Sequence, residues 1–193
     1  MSRVRLAVLA SLSVLATSPA LAQAPQVEKN ISMAMALAII QGTIEQCTKD
    51  GYKVSVVIVD KAGNVAASVR GEGTNPHTME FGRLKAYTSR TRGQTSLEFM
   101  KLTSDPANAY LKQIPNTVAV GGGVPIKAGN EVIGAVGVSG APGGEKDEVC
   151  ANAGIAKVAD ALKEGRSELH HCDESVGWEG AKRRAHHLSA ATG

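Results

Sequence analysis

Three short apolar runs follow one another between Thr117 and Ser139: Thr117–Val120, Val124–Lys127 and Glu131–Val138. Only Gly121-Gly122-Gly123 and Ala128-Gly129-Asn130 divide them. Connections this short permit antiparallel neighbours alone, because a parallel crossover needs a dozen or more residues. The segment therefore predicts an antiparallel meander and excludes a doubly wound nucleotide-binding sheet. A second pairing precedes it. Lys53-Val-Ser-Val-Val-Ile-Val-Asp60 is a β-branched run, Asp60-Lys-Ala-Gly-Asn64 a compact turn, and Val65–Arg70 the return strand of a hairpin.

Helices bracket these strands. Met33, Leu37, Ile40, Ile44 and Cys47 recur at steps of four and three, which predicts an amphipathic helix over 31–49 stopped by Gly51. Residues 77–92 and 96–102 read as two more, and Asp105-Pro106 starts a further helical turn that ends before Pro115. A last helix over 145–164 carries Ala151, Ile155, Val158 and Leu162 on one stripe, with Gly165 closing it.

The N-terminus has the three parts of a secretory signal: Arg3 and Arg5, an apolar stretch from Leu6 to Thr17, and the small-x-small pattern Ala20-Leu21-Ala22. Its apolar stretch of about a dozen residues is short of the roughly 20 a membrane span needs. Cleavage after Ala22 makes Gln23 the first mature residue, and the product is expected in the periplasm or secreted. Removing Arg3 and Arg5 from the 21 basic side chains leaves 19 against 18 acidic ones. No basic run remains for a nucleic-acid groove or an anionic membrane. Six aromatics in 193 residues (two Phe, one Trp, three Tyr) are too few for a base-stacking sheet. Cys47, Cys150 and Cys172 lack a Cys-x-x-Cys pair, so the sequence supports one disulfide rather than a redox or all-cysteine zinc motif.

Several stretches resemble the GlcG/HbpS-like haem-binding proteins, a family also found as the C-terminal domain of some corrinoid adenosyltransferases. They are Val57-Ile-Val-Asp-Lys-Ala-Gly63, Lys85-Ala-Tyr-Thr88, Gly121-Gly-Gly-Val-Pro-Ile126, Val132-Ile-Gly-Ala-Val-Gly-Val-Ser-Gly140, Asp147 and Ala151-Asn-Ala-Gly154. The resemblance spans about residues 31–163. It implies a profilin-like α+β fold: a five-stranded antiparallel sheet with helices packed on it, in the order α-β-β-α-α-β-β-β-α. It also implies haem or a related tetrapyrrole as ligand and assembly into homo-oligomers, for which the small residues of Ala128–Gly140 suit close contact. In such a fold the helices bearing Cys47 and Cys150 pack on one sheet face, which favours that pair over Cys150 with Cys172.

A haem pocket needs an axial donor, apolar walls and cations for the propionates. The segment His77–Thr88 contains each kind of group, so His77, Arg83, Lys85 and Thr88 are candidate cofactor-binding residues. Lys85 and Thr88 stand three apart on one helix face, Arg83 and Tyr87 four apart on another. Ser139 and Gly140 join the candidates because the loop after the last strand presents backbone N–H groups at a helix start, where an anion can bind. Asp147 and Glu145 compete for that place as capping carboxylates. Gly121-Gly122-Gly123 lacks the Lys-Ser/Thr and helix of a phosphate loop and suits close strand packing. No Gly-x-Ser-x-Gly elbow, nucleophile–base pair or acid/base pair is readable, so no catalytic residue is assigned.

The segment 166–193 holds His170, His171 and Cys172, weak candidates for zinc or copper, in a neutral and polar stretch that reads as disordered. Two functions compete. One is an exported haem- or tetrapyrrole-binding carrier, sensor or scavenger. The other is a non-catalytic accessory or assembly subunit of an exported enzyme system.

Overall fold

Strand β1 (Ser55–Asp60) is buried along almost its whole length, a pattern that arises only when both faces of a sheet are covered. The computed structural model describes residues 27–164 and shows how. β1 pairs antiparallel with β2 (Val65–Arg70) on one side and β4 (Glu131–Ser139) on the other; β4 pairs antiparallel with β3 (Gly123–Ala128). The order is β2-β1-β4-β3. The fold is thus α+β with an antiparallel sheet, but of four strands rather than the five expected. Residues 1–22, expected to be a signal, and the segment 166–193, with His170, His171 and Cys172, lie outside the described residues.

Thr117–Val120 is the strand that does not form. Its Val118 N–H donates instead to the hydroxyl of Thr88 at 2.8 Å. A side chain of the neighbouring helix thus takes the bond that a strand partner would have taken. Beyond it, Gly122 meets the end of β4 through a single bond, from Val138 N–H to its carbonyl at 2.8 Å.

One sheet face carries α1 (Met33–Lys49) and α4 (Gly144–Ala156). Ser32 caps α1 by accepting from Met35 N–H at 3.2 Å. α1 buries Ala36, Ile39, Ile40, Thr43 and Cys47, whereas Met33 and Leu37, expected on the buried stripe, are exposed. The stripe turns because α4 crosses at Gly42 and Gly154, where small residues let the helices approach closely. Cys47 and Cys150 are joined at this crossing by a disulfide, their Cα atoms 5.4 Å apart. Beneath lie Val56, Ile58, Ile126, Val136 and Val138, all fully buried; each such side chain contributes roughly 1.5–3 kcal/mol of hydrophobic stabilisation.

The last helix, expected to be continuous, breaks after Ala156. Lys157 and Val158 make short-turn bonds to Gly154 and Ile155, and α5 (Ala159–Glu164) restarts with Val158 and Leu162 turned inward. On the opposite sheet face lies α2 (Thr78–Arg92), followed by α3 (Ser96–Leu102) and a 3-10 helix over Pro106–Gln113. Ala128–Gly140, expected to lie between copies of the chain, forms mainly the inner strand β4 under α2. A side chain at Gly137 would collide with Gly82 carbonyl and Ala86 nitrogen. Its small residues serve contact within one chain.

Candidate functional site

α2 presents two chemically different faces. Gly82, Lys85, Ala86 and Ser89 are buried toward the sheet, a small-residue face that allows the close approach to β4. His77, Phe81, Leu84 and Thr88 follow at steps of four, three and four, so they share the outer stripe. His77 precedes the first turn, is exposed and makes no capping bond. Its ring stands edge-on to Phe81, centroids 5.4 Å apart. Phe81 and Leu84 are half-buried. Thr88 is covered by the 117–120 segment; its hydroxyl donates to Leu84 carbonyl at 2.7 Å while accepting from Val118.

Lys85 does not reach solvent. It is 3% exposed and donates to Asp147 Oδ2 at 2.7 Å and to Val138 carbonyl at 2.9 Å. The second carboxylate oxygen of Asp147 accepts from Ala141 N–H at 3.0 Å. Burial pushes the Asp147 carboxyl above the usual carboxylate range, and the Lys85 ammonium opposes that rise. Gly122 borders the pair: a Cβ there would stand 2.8 Å from Lys85 Nζ. The pair therefore ties α2, the end of β4, the 139–143 loop and α4 together. Its charges are already satisfied inside the protomer.

Ser139 is 4% exposed and lies opposite Ser55 in the β1–β4 register. Gly140 is at the surface, but the next loop N–H, that of Ala141, is occupied by Asp147. The helix start at α4 has no side-chain cap. Arg83 is paired with Glu80 through two hydrogen bonds of 2.7 and 3.0 Å, and it holds the Glu80 carboxyl below its usual range. The six sequence candidates thus separate. His77 and Arg83 face outward, Lys85, Thr88 and Ser139 are enclosed, and Gly140 lies on the far loop.

Glu148 was not among the expected residues. Its carboxylate accepts from Leu97 N–H at 3.0 Å and from Gly122 N–H at 3.4 Å, fastening α3 and the glycine loop to α4. Burial raises its carboxyl above the usual range, against the pull of those amides. The spacing of Asp147 and Glu148 ahead of Cys150 offered no signal for this, because acidic residues in a first helical turn read as dipole partners. Among the described residues no group of three or more His, Cys, Asp or Glu could hold a metal. His77 is the outward imidazole that could donate to one.

Comparison with known proteins agrees with this architecture. Protein GlcG of Escherichia coli K12 is 29% identical over 109 residues, 56% of this chain and 81% of GlcG. A double-mutant crystal structure of Streptomyces reticuli HbpS matches with a TM-score of 0.67 and 31% identity over 73% of this chain and 97% of that one. The crystal structure of a PduOC–haem complex shares the fold, with a TM-score of 0.62 and 23% identity over 66% of this chain and 94% of that one. A family model described as "Haem degrading protein HbpS-like" matches residues 31–156, most of the described domain. The chain belongs to the HbpS-like family.

Proposed function

We propose that this protein binds haem or a closely related tetrapyrrole on the outer stripe of α2, as an exported carrier, sensor or scavenger. The observation that carries the reading is the exposed His77 imidazole standing against Phe81 at the head of that stripe. The family description, haem-degrading, and the HbpS likeness support the choice of ligand.

The residues present fit a tetrapyrrole at one end of the stripe. His77 would offer an imidazole nitrogen to the iron, Phe81 and Leu84 would offer apolar faces, and Arg83 would offer a guanidinium for which a propionate would compete with Glu80. Thr88 fits less well, since both roles of its hydroxyl are taken. When bound, haem would supply a redox-active iron. The chain's own contribution is to hold the macrocycle against Phe81 and orient it from His77.

Haemin titration into the mature chain tests this. We expect a Soret shift that weakens at least about tenfold in affinity in His77→Ala, with the thermal midpoint unchanged within the range usual for a surface substitution. A chain ending at residue 165 should bind like the full one. If that truncation abolishes the shift while His77→Ala and Thr88→Ala leave it intact, the tail histidines are the binder. If nothing binds, the accessory-subunit reading takes the lead. A Soret band that persists under reductant and air marks a carrier; one that bleaches marks degradation.

A further inference from the structure

The cations around the N-terminal half of α2 are committed in different ways. Arg83 is paired with Glu80, and Lys85 is enclosed against Asp147. Arg70 holds the loop that follows β2: its guanidinium donates to Thr74 carbonyl at 3.1 Å and to the Thr74 hydroxyl at 3.4 Å. Lys53 has no such commitment. It is exposed, and among the described residues no carboxylate lies within salt-bridge distance of it.

Its place in the fold follows from strand alternation. Val54 and Val56 belong to the core beneath α1. Successive side chains of an extended segment point to opposite faces, so Lys53 and Ser55 take the face that α2 covers. Ser55 shows this directly, with its hydroxyl 2.8 Å from that of Thr78, the first residue of α2. Gly71 N–H donates to Val54 carbonyl at 3.1 Å, which continues the pairing of β1 back to this point. His77 immediately precedes Thr78, and Lys53 stands two residues before Ser55, about 7 Å of extended chain. The exposed ammonium and the exposed imidazole therefore share one end of the sheet. The loop between β2 and α2 leaves that ammonium uncovered. Gly73 has a φ of 70°, and a Cβ there would stand 3.1 Å from Lys53 Nζ.

We infer that Lys53 takes a propionate of the bound tetrapyrrole and so sets a preference for ligands with free carboxylates. The inference rests on the haem reading above and names the group that selects the ligand. A propionate that turned to Arg83 would displace Glu80, exchanging one carboxylate for another. At Lys53 it meets a cation with no carboxylate to displace, so the charge-assisted hydrogen bond is gained outright.

Haemin and haemin dimethyl ester, titrated separately into the mature chain, test this. The parent should prefer the free acid at least about tenfold, the yield of one hydrogen bond to a charged group. Lys53→Gln should erase the preference by weakening haemin alone, and Lys53→Arg should restore it. Lys127→Gln, at an exposed lysine on edge strand β3, should leave both affinities unchanged. Thermal midpoints within the range of surface substitutions show that each variant is folded. A preference that survives in Lys53→Gln overturns the inference while haem binding by this chain stands. A parent that gives no Soret shift with either ligand overturns both.

Discussion

Lys85 carries a charge at a place where the chain has excluded water, and Asp147 is its only carboxylate neighbour within salt-bridge distance among the described residues. Removing one partner leaves the other buried and uncompensated, which costs about 3–5 kcal/mol, whereas replacing both by apolar groups of similar size is often neutral or better. Lys85→Met alone should therefore lower the urea midpoint strongly, and Lys85→Met with Asp147→Leu should restore most of it. Glu148 gives a second test. Its folded pKa lies above the ordinary 4.5, so the native protein holds this proton longer than the unfolded chain does. Stability from that group is complete below the unfolded value and is lost as pH rises through the folded one. Glu148→Gln keeps a carbonyl acceptor for Leu97 N–H but cannot titrate. Its midpoint should run parallel to the parent below about pH 4.5 and gain on it from there toward neutrality; parallel curves throughout would refute the assignment.

The elements differ in how their contacts could be foreseen. β1 and β2 were legible because a β-branched run, a turn with Asp60 and Gly63, and a second run leave little alternative. Thr117–Val120 looked the same, apolar and flanked by glycine, yet its backbone bonds to the Thr88 side chain, and no local pattern encodes a partner thirty residues away. The burial of Lys85, expected among the cofactor-binding residues, and its pairing with Asp147 were hidden for a related reason: the partner lies far along the chain. The corrective signal was present in its neighbours, since Gly82, Ala86 and Ser89 mark the side of α2 that must approach the sheet. That approach is itself testable. Gly137→Ala places a methyl against Gly82 carbonyl and Ala86 nitrogen, 2.7 Å from the latter. It should cost more than about 4 kcal/mol, in the exceptional class of single substitutions. Gly129→Ala meets no atom within 4 Å and strains only its positive φ of 64°, for roughly 1–2 kcal/mol. Thermal midpoints of the two variants should separate clearly.

At the scale of the molecule, the two faces of the sheet are secured by different chemistry. The α1–α4 layer is closed covalently, while the α2 layer rests on close packing and one buried ion pair. A disulfide suits an oxidising compartment, in line with the proposed export. Unreduced mass spectrometry of exported protein should find a chain beginning at Gln23, with one Cys47–Cys150 peptide after digestion. A retained Met1, or free thiols at both positions, would sink that part of the reading. The cross-link also changes what counts as distant in this chain. Ser55 and Ser139, paired at one end of the inner β1–β4 ladder, are far apart along the backbone. Through the sulfur bridge the route is much shorter: eight residues from Cys47 to Ser55 and eleven from Ser139 to Cys150. Loop-closure entropy grows with the logarithm of length, so this shortcut lowers the cost of the first β1–β4 encounter by about 1 kcal/mol. Once oxidised, the chain meets its most non-local strand pair as a nearly local contact.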